Sequence, residues 1–288
     1  MTEKRTLILP LTFYGILSIV TLIVWWAFEK NTLDDYKSMS NVLSEQISFR
    51  IQDDFSYHVT SLHQMKSEWQ KTSNRNETEY TKMVFDIIKD YDGFQAINFV
   101  DTAGTTLWVI PYETNEESLG KSLFAHPDPL VSSTFDKARK TGTLQMTPPI
   151  PLFQEEMGYA SYLPVVIDGK IEGYINGVFR VKDFIENCIS SNDIDKFVFY
   201  IDDSDREIYR SINANADFAM EILGSYTFMA FDRFWSVYVT LDPGFFKSFP
   251  STFSKIVLLS GLFGAFILSL LLRLVLIRRE QVINAEKI

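Results

Sequence analysis

Two unbroken apolar runs bracket the chain. Residues 7–28 hold no charged side chain in 22 positions, and residues 256–277 are interrupted only by Arg273. At about 1.5 Å per residue, each run reaches across a hydrocarbon layer of roughly 30 Å. Both are too long for the apolar stretch of a secretory signal peptide. The pattern predicts two membrane-spanning helices. Lys4 and Arg5 precede the first, and Arg278 and Arg279 follow the second. Basic flanks mark the cytoplasmic side, so both termini are expected there and residues 29–255 outside. Trp25 and Trp26 fall at the headgroup level of the first span, and Arg273 lies close enough to the inner end to snorkel.

Between the spans the pattern is first helical, then strand-like. Leu33, Tyr36, Leu43, Ile47, Ile51, Phe55, Leu62, Met65 and Trp69 recur at steps of three, four or seven. This predicts a stalk helix over residues 32–71, with Thr32 and Asp35 capping its start. A stripe too long for one small domain to cover predicts a parallel homodimer through the stalk, while its drift toward steps of four assigns part of it to its own domain. A second helix through Tyr80, Val84, Ile87, Ile88 and Tyr91 stops at Asp92-Gly93.

Strands are then expected at 94–100 and 105–110, and a helix at 130–141 is ended by Gly142. An edge strand follows at 144–147, bounded by Pro148, Pro149 and Pro151. A hairpin of 159–167 and 171–181 turns at Asp168-Gly169-Lys170. A connecting helix at 182–189 leads to strands at 196–202, 207–209, 226–230 and 234–241, with turns at residues 203–205 and at Asp232-Arg233. Pro243 opens a helical link to the second span. Runs of helices followed by antiparallel strands read as α+β: a long N-terminal stalk helix and two tandem sheet units between two transmembrane helices. The boundaries are a cytoplasmic N-terminus 1–6, stalk and second helix 29–92, membrane-distal unit 93–181, membrane-proximal unit 182–245, link 246–255 and the start of a cytoplasmic signalling helix 278–288.

Composition narrows the function. Hydrophobic residues make up 46% and charged residues 22%, enough for a folded core. Thirty-seven acids against 27 bases give a net charge of −10, so a nucleic-acid partner is not expected. One cysteine, Cys188, excludes an intramolecular disulfide or a multi-thiolate metal site. His58 and His63 are five apart rather than the four that align ligands on one helix face. Asp202-Asp203-Ser204-Asp205 lacks the glycine and distal glutamate of a calcium loop and reads as an acidic turn. No metal or cofactor is expected. The chain carries no phosphate loop, zincin helix, nucleophile elbow or kinase or cyclase catalytic set, so it is not expected to be an enzyme itself.

The run Gly93-Phe94-Gln95-Ala96-Ile97-Asn98-Phe99-Val100-Asp101 resembles the CHASE sensory domain, the extracellular input domain of sensor histidine kinases, nucleotide cyclases and plant cytokinin receptors. The resemblance continues through Leu107-Trp108-Val109-Ile110-Pro111, Asn115-Glu116 and Leu119-Gly120. It then takes in Ala138-Arg139-Lys140-Thr141-Gly142, Thr147-Pro148-Pro149-Ile150-Pro151-Leu152, Tyr162-Leu163-Pro164-Val165 and Gly173-Tyr174-Ile175-Asn176-Gly177-Val178-Phe179-Arg180-Val181. It covers most of residues 33–245. It implies two PAS-like sheets with the ligand in the membrane-distal one, and its pocket-strand threonine matches Thr147. Where cytokinin receptors place a ligand-anchoring Asp, counting back from Ala138 reaches Phe124, which cannot accept from an amine.

A sensor pocket needs aromatic walls and a few fixed polar groups. The candidates are Trp108, Tyr112, Phe124, Tyr159 and Tyr162 beside Asn98, Thr147, Ser161 and Asn176. The polar ones stand on apolar strands, where burying an amide without a partner costs about 1–3 kcal/mol. Asn98 faces away from Ile97 and Phe99. His126, in a Pro-rich loop, is read as a solvated loop residue. The expected function is a two-pass receptor of the bacterial inner membrane, with residues 29–255 periplasmic. It binds a small molecule and signals to a cytoplasmic histidine kinase or diguanylate cyclase module outside this chain. The alternative is a membrane-anchored adaptor whose outer domain binds another protein.

Overall fold

The computed structural model describes all residues except 1, 90–92, 154–155, 190–196, 212–222, 232 and 286–288. In chain order its elements are α1 (Thr2–Lys71), α2 (Glu77–Ile88), β1 (Ala96–Val100), β2 (Thr106–Trp108), α3 (Pro129–Thr141), β3 (Gln145–Met146), β4 (Ile150–Pro151), β5 (Met157–Ile167), β6 (Lys170–Arg180), α4 (Val181–Ile189), β7 (Phe197–Asp203), β8 (Arg206–Arg210), β9 (Gly224–Ala230), β10 (Arg233–Leu241) and α5 (Pro243–Ala285). The expected positions Tyr91, Asp92, Lys196 and Asp232 lie outside the described residues. The chain divides into two compact units, residues 1–39 with 241–288, and residues 40–240.

The first unit is a pair of antiparallel helices, each long and apolar enough to cross a membrane. Between membrane helices, packing and hydrogen bonds replace the hydrophobic effect, and small residues allow close approach. Trp25 Nε1 donates to Ser254 Oγ at 3.0 Å near one end, and Ser269 Oγ donates to the Pro10 carbonyl at 2.7 Å near the other. Between them, a side chain at Gly261 would meet Thr21 at 2.5 Å. The expected helix start at Thr32 is not observed. α1 is continuous, because no breaker follows the first span, and the Thr32 hydroxyl donates back to the Phe28 carbonyl instead of capping. The link opened by Pro243 is helical from that residue onward.

The second unit holds two antiparallel sheets against the later part of α1. The distal sheet has the order β2-β1-β6-β5-β3, with β4 also on β5; the proximal sheet has the order β8-β7-β10-β9. β5 and β6 join through Asp168 and Gly169, both at positive φ (49° and 78°), the conformation of a two-residue primed turn. α3 has Asp128 accepting from the Leu130 amide, Pro129 in its first turn, and Gly142 at φ 68° as its C-cap.

α1 turns one stripe inward. Ile47, Ile51, Phe55, Leu62, Met65 and Trp69 are all buried. From Ile47 to Trp69 the stripe is covered by its own chain, as its drift toward steps of four predicts, so these residues do not supply the expected dimer face. Two contacts show how closely. A side chain at Gly224 would meet the Ser40 backbone at 2.4 Å, and one at Gly177 would meet Leu62 Cδ1 at 3.0 Å. Phe55 is the node between layers, with ring centroids 4.4 Å from Phe184 on α4, 5.1 Å from Trp235 on β10 and 6.3 Å from Tyr159 on β5. Truncating such a side chain to Ala costs about 3–5 kcal/mol.

Candidate functional site

Strand geometry divides the distal sheet into two faces. One packs on the stalk: Phe99 meets Trp69 and Tyr80, and Phe94 meets Phe179. The other packs beneath α3, where Val100, Val131, Phe135, Ala138, Ile150, Leu152, Ala160, Tyr162 and Tyr174 form a core. Within this second face lies a cavity of about 40 Å³. Ala96 and Asn98 of β1, Asn176 and Val178 of β6, and Ala160 and Tyr162 of β5 form its floor. Leu123, His126, Val131 and Phe153 are among the residues that close over it.

Its polar groups form a directed chain. The Ser161 backbone carbonyl can only accept, and Asn176 Nδ2 donates to it at 3.0 Å. That fixes the Asn176 amide, so Asn176 Oδ1 faces Asn98 and accepts from Asn98 Nδ2 at 3.0 Å. Asn98 Oδ1 is left as the terminus. It is buried and has no hydrogen-bond partner among the described residues. Asn115 also lines the cavity, but its amide is committed: Nδ2 donates to the Pro111 carbonyl at 2.9 Å and Oδ1 accepts from Gln95 Nε2 at 2.8 Å. His126 Nδ1 accepts from the Asp128 amide at 3.1 Å, which puts the proton of the neutral ring on Nε2. Its ring lies 4.8 Å from Phe153, and burial pulls its pKa below the ordinary imidazole value. Burial pushes the Tyr162 hydroxyl up. Among the described residues no Asp, Glu, Lys or Arg lines the cavity, and no group of His, Cys, Asp and Glu could hold a metal ion.

Residues 74–210 match the family model of the CHASE domain. This chain carries a CHASE domain. Its fold is shared with sensory domains of low sequence identity. The periplasmic sensory domain of the Campylobacter jejuni chemoreceptor Tlp1 aligns at 15% identity and a TM-score of 0.51, over 77% of this chain and 99% of that one. The Campylobacter jejuni Tlp3 sensory domain with isoleucine bound aligns at 9% and 0.50, over 78% and 98%. The Pseudomonas aeruginosa PAO1 PctB domain in complex with L-Arg aligns at 12% and 0.50, over 75% and 98%. The chain spans 39% of an extracellular ligand binding receptor from Desulfohalobium retbaense DSM5692, at 14% identity. No curated protein matches the sequence.

The CHASE domain brings three of the expected site residues together: Asn98, Tyr162 and Asn176. The other six lie elsewhere. Trp108 sits on the stalk face, 4.7 Å from Phe99 and 5.9 Å from Trp69. A register shift between Phe99 and Val100 is responsible: Trp108 pairs with Phe99 while Thr106 pairs with Val100, so only Thr106 reaches the cavity. Tyr159 and Ser161 alternate with Ala160 and Tyr162 and therefore face the stalk; the Ser161 hydroxyl donates to the Gly177 carbonyl. Thr147 is fully buried, but its hydroxyl accepts from the Ala160 amide at 3.0 Å, extending the edge pairing rather than lining the cavity. Tyr112 and Phe124 are exposed. Leu123 takes the inward position beside Phe124, whose ring meets Phe135 edge-on. His126, expected in solvent, is a half-buried cavity residue.

Proposed function

We propose that this chain is a transmembrane receptor whose CHASE domain binds a small molecule in the distal cavity. The observation that carries this reading is Asn98 Oδ1, a buried acceptor without a partner among the described residues, in a cavity lined by apolar side chains and a few uncharged polar ones. A buried polar group left unpaired costs about 1–3 kcal/mol, so it marks a place where a donor is expected to arrive. Solved sensory domains of the same fold hold isoleucine or L-Arg, which supports a small-molecule ligand for this sheet. Binding selects one arrangement of the domain, and the change passes along α5 to a cytoplasmic histidine kinase or diguanylate cyclase module. The receptor lies in the bacterial inner membrane with both termini cytoplasmic, by the basic residues at 4–5 and 278–279.

It acts as a parallel dimer along α1. Val42, Phe49 and Tyr57, spaced by seven and eight, remain exposed there and replace the buried stripe as the dimer face. Val42→Asp is expected to abolish stalk crosslinking in membranes, and retained crosslinking would contradict the dimer. Ligand binding is tested by thermal unfolding of the full chain in detergent against amino acids, purines, carboxylates and lipids. A stabilising compound should lose its effect when Val178→Phe fills the cavity. A compound equally effective on that variant binds elsewhere.

A further inference from the structure

Resting on that reading, we infer that the ligand of the distal cavity is an uncharged molecule that presents an N–H or O–H donor to Asn98 Oδ1. The direction of the amide chain decides the sign of the requirement. The Ser161 carbonyl orients Asn176, Asn176 orients Asn98, and each amide spends its Nδ2 on the previous member. Each amide thus keeps its Nδ2 turned toward its neighbour, and Asn98 Oδ1 is the one oxygen of the pair left without a donor. Rotating the Asn98 amide would set its oxygen against Asn176 Oδ1, so the cavity cannot turn itself into a donor site without losing a buried hydrogen bond.

Charge is excluded on both sides. An ammonium has a donor for Asn98, but among the described residues no carboxylate lines the cavity to replace its lost hydration. A carboxylate meets the unpaired oxygen of Asn98, and the Asn115 donors are already committed to the Pro111 and Gln95 carbonyls. His126 Nε2 and the hydroxyls of Thr106, Ser118 and Tyr162 offer an anion neutral donors only, no Lys or Arg lines the cavity among the described residues, and burial disfavours the charged His126 ring that would attract it more strongly. A neutral amide or alcohol matches both requirements: its N–H or O–H goes to Asn98, and its carbon body lies on Ala96, Ala160 and Val178. The cavity of about 40 Å³ takes only the end group of such a molecule, so a four-atom probe suits it.

The test uses probes with the same number of non-hydrogen atoms: acetamide, acetone, acetate and isopropylammonium. Each is titrated into the full chain in nanodiscs with ¹³C-labelled Ala and Val methyls. Acetamide is expected to shift the Ala160 and Val178 methyls and to bind about tenfold tighter than acetone or either ion, the step that one well-paired buried donor gives. Asn98→Leu should bring acetamide down to the level of acetone. If the unpaired Asn176 oxygen left in that variant prevents folding, Asn98→Leu with Asn176→Leu removes donor and acceptor together, and the same loss is expected. An ion that binds these methyls more tightly than acetamide overturns the inference but keeps the cavity as the ligand site. So does acetamide binding unchanged by Asn98→Leu yet blocked by Val178→Phe. No probe shifting these methyls, or an Ala160 methyl shift that persists in Val178→Phe, overturns both the inference and the site itself.

Discussion

Tyr159 donates its phenolic hydrogen to Asp203 Oδ2 at 3.3 Å, joining the strand behind the distal cavity to the proximal sheet. Tyr159 lies beside Ala160, a cavity residue, but on the opposite face of β5. Asp203 belongs to the stretch expected as an acidic turn. It is buried, with its other oxygen 3.2 Å from Arg233 Nε, and the Arg233 guanidinium lies 5.5 Å from the Tyr159 ring centre. Burial raises the Asp203 pKa, against the pull of Arg233. Removing one member of a buried pair strands the other charge. Asp203→Ala is expected to lower unfolding stability by about 3 kcal/mol, and Tyr159→Phe by about 1 kcal/mol. Denaturant unfolding of the full chain measures both; equal small losses would show that the pair is not a joint.

His58 sets an acid limit on stability. It is buried on α1 between Phe94 and Phe179, both at 4.6 Å, and burial lowers its pKa to about 4. The unfolded ring protonates near 6.5, so between pH 6.5 and 4 the unfolded state binds the extra proton and stability falls as pH falls. The full loss is about 3 kcal/mol. Asp54, raised to about 6 by burial, acts in the opposite sense, and its partial exposure weakens that effect. Unfolding temperature measured from pH 7 to 4 should drop for the native chain, and the slope should flatten in His58→Gln. An unchanged slope would remove His58 as the cause.

Gly224 holds β9 against the stalk. A methyl there meets the Ser40 carbonyl carbon at 2.4 Å and the Asn41 nitrogen at 2.5 Å, and backbone cannot rotate away. Gly224→Ala is expected to cost about 1–3 kcal/mol through overpacking. A neutral result in thermal unfolding would mean that β9 moves off the helix freely.

The link after β10 is expected to carry the signal. β10 ends at Leu241 and α5 begins at Pro243. A continuous helix transmits a displacement that a flexible joint would absorb as local bending. Inserting Gly-Ser after Phe246 should leave ligand affinity unchanged and abolish output in the receptor with its output partner. Retained output with normal binding would place transmission elsewhere.

The elements were legible because each has a local cause. Asp128, Pro129 and Gly142 bound α3, Asp168-Gly169 sets the β5–β6 turn, and the stalk stripe predicts the buried side of α1. Strand alternation put Asn98 opposite Phe99, which the two faces bear out. The site was only partly legible, since three of its determinants are not local. The shift between Phe99 and Val100 sends Trp108 to the stalk. The Thr147 hydroxyl is satisfied by an amide 13 residues away. His126 reaches the cavity because the turn at residues 123–125 folds back over the sheet. Tyr159 and Ser161 could have been set aside by alternation alone, given Tyr162 on the other face.

The most direct test of the receptor reading is a methyl map of ligand binding. The full chain in nanodiscs carries ¹³C-labelled Ala, Leu and Val methyls, and receives any compound that raises its unfolding temperature. The account predicts that the largest shifts fall on Ala96, Ala160, Val178 and Leu123, which line the distal cavity. Shifts confined to Val59 and Ala230, in the open groove between the stalk and the β9–β10 turn, would contradict it.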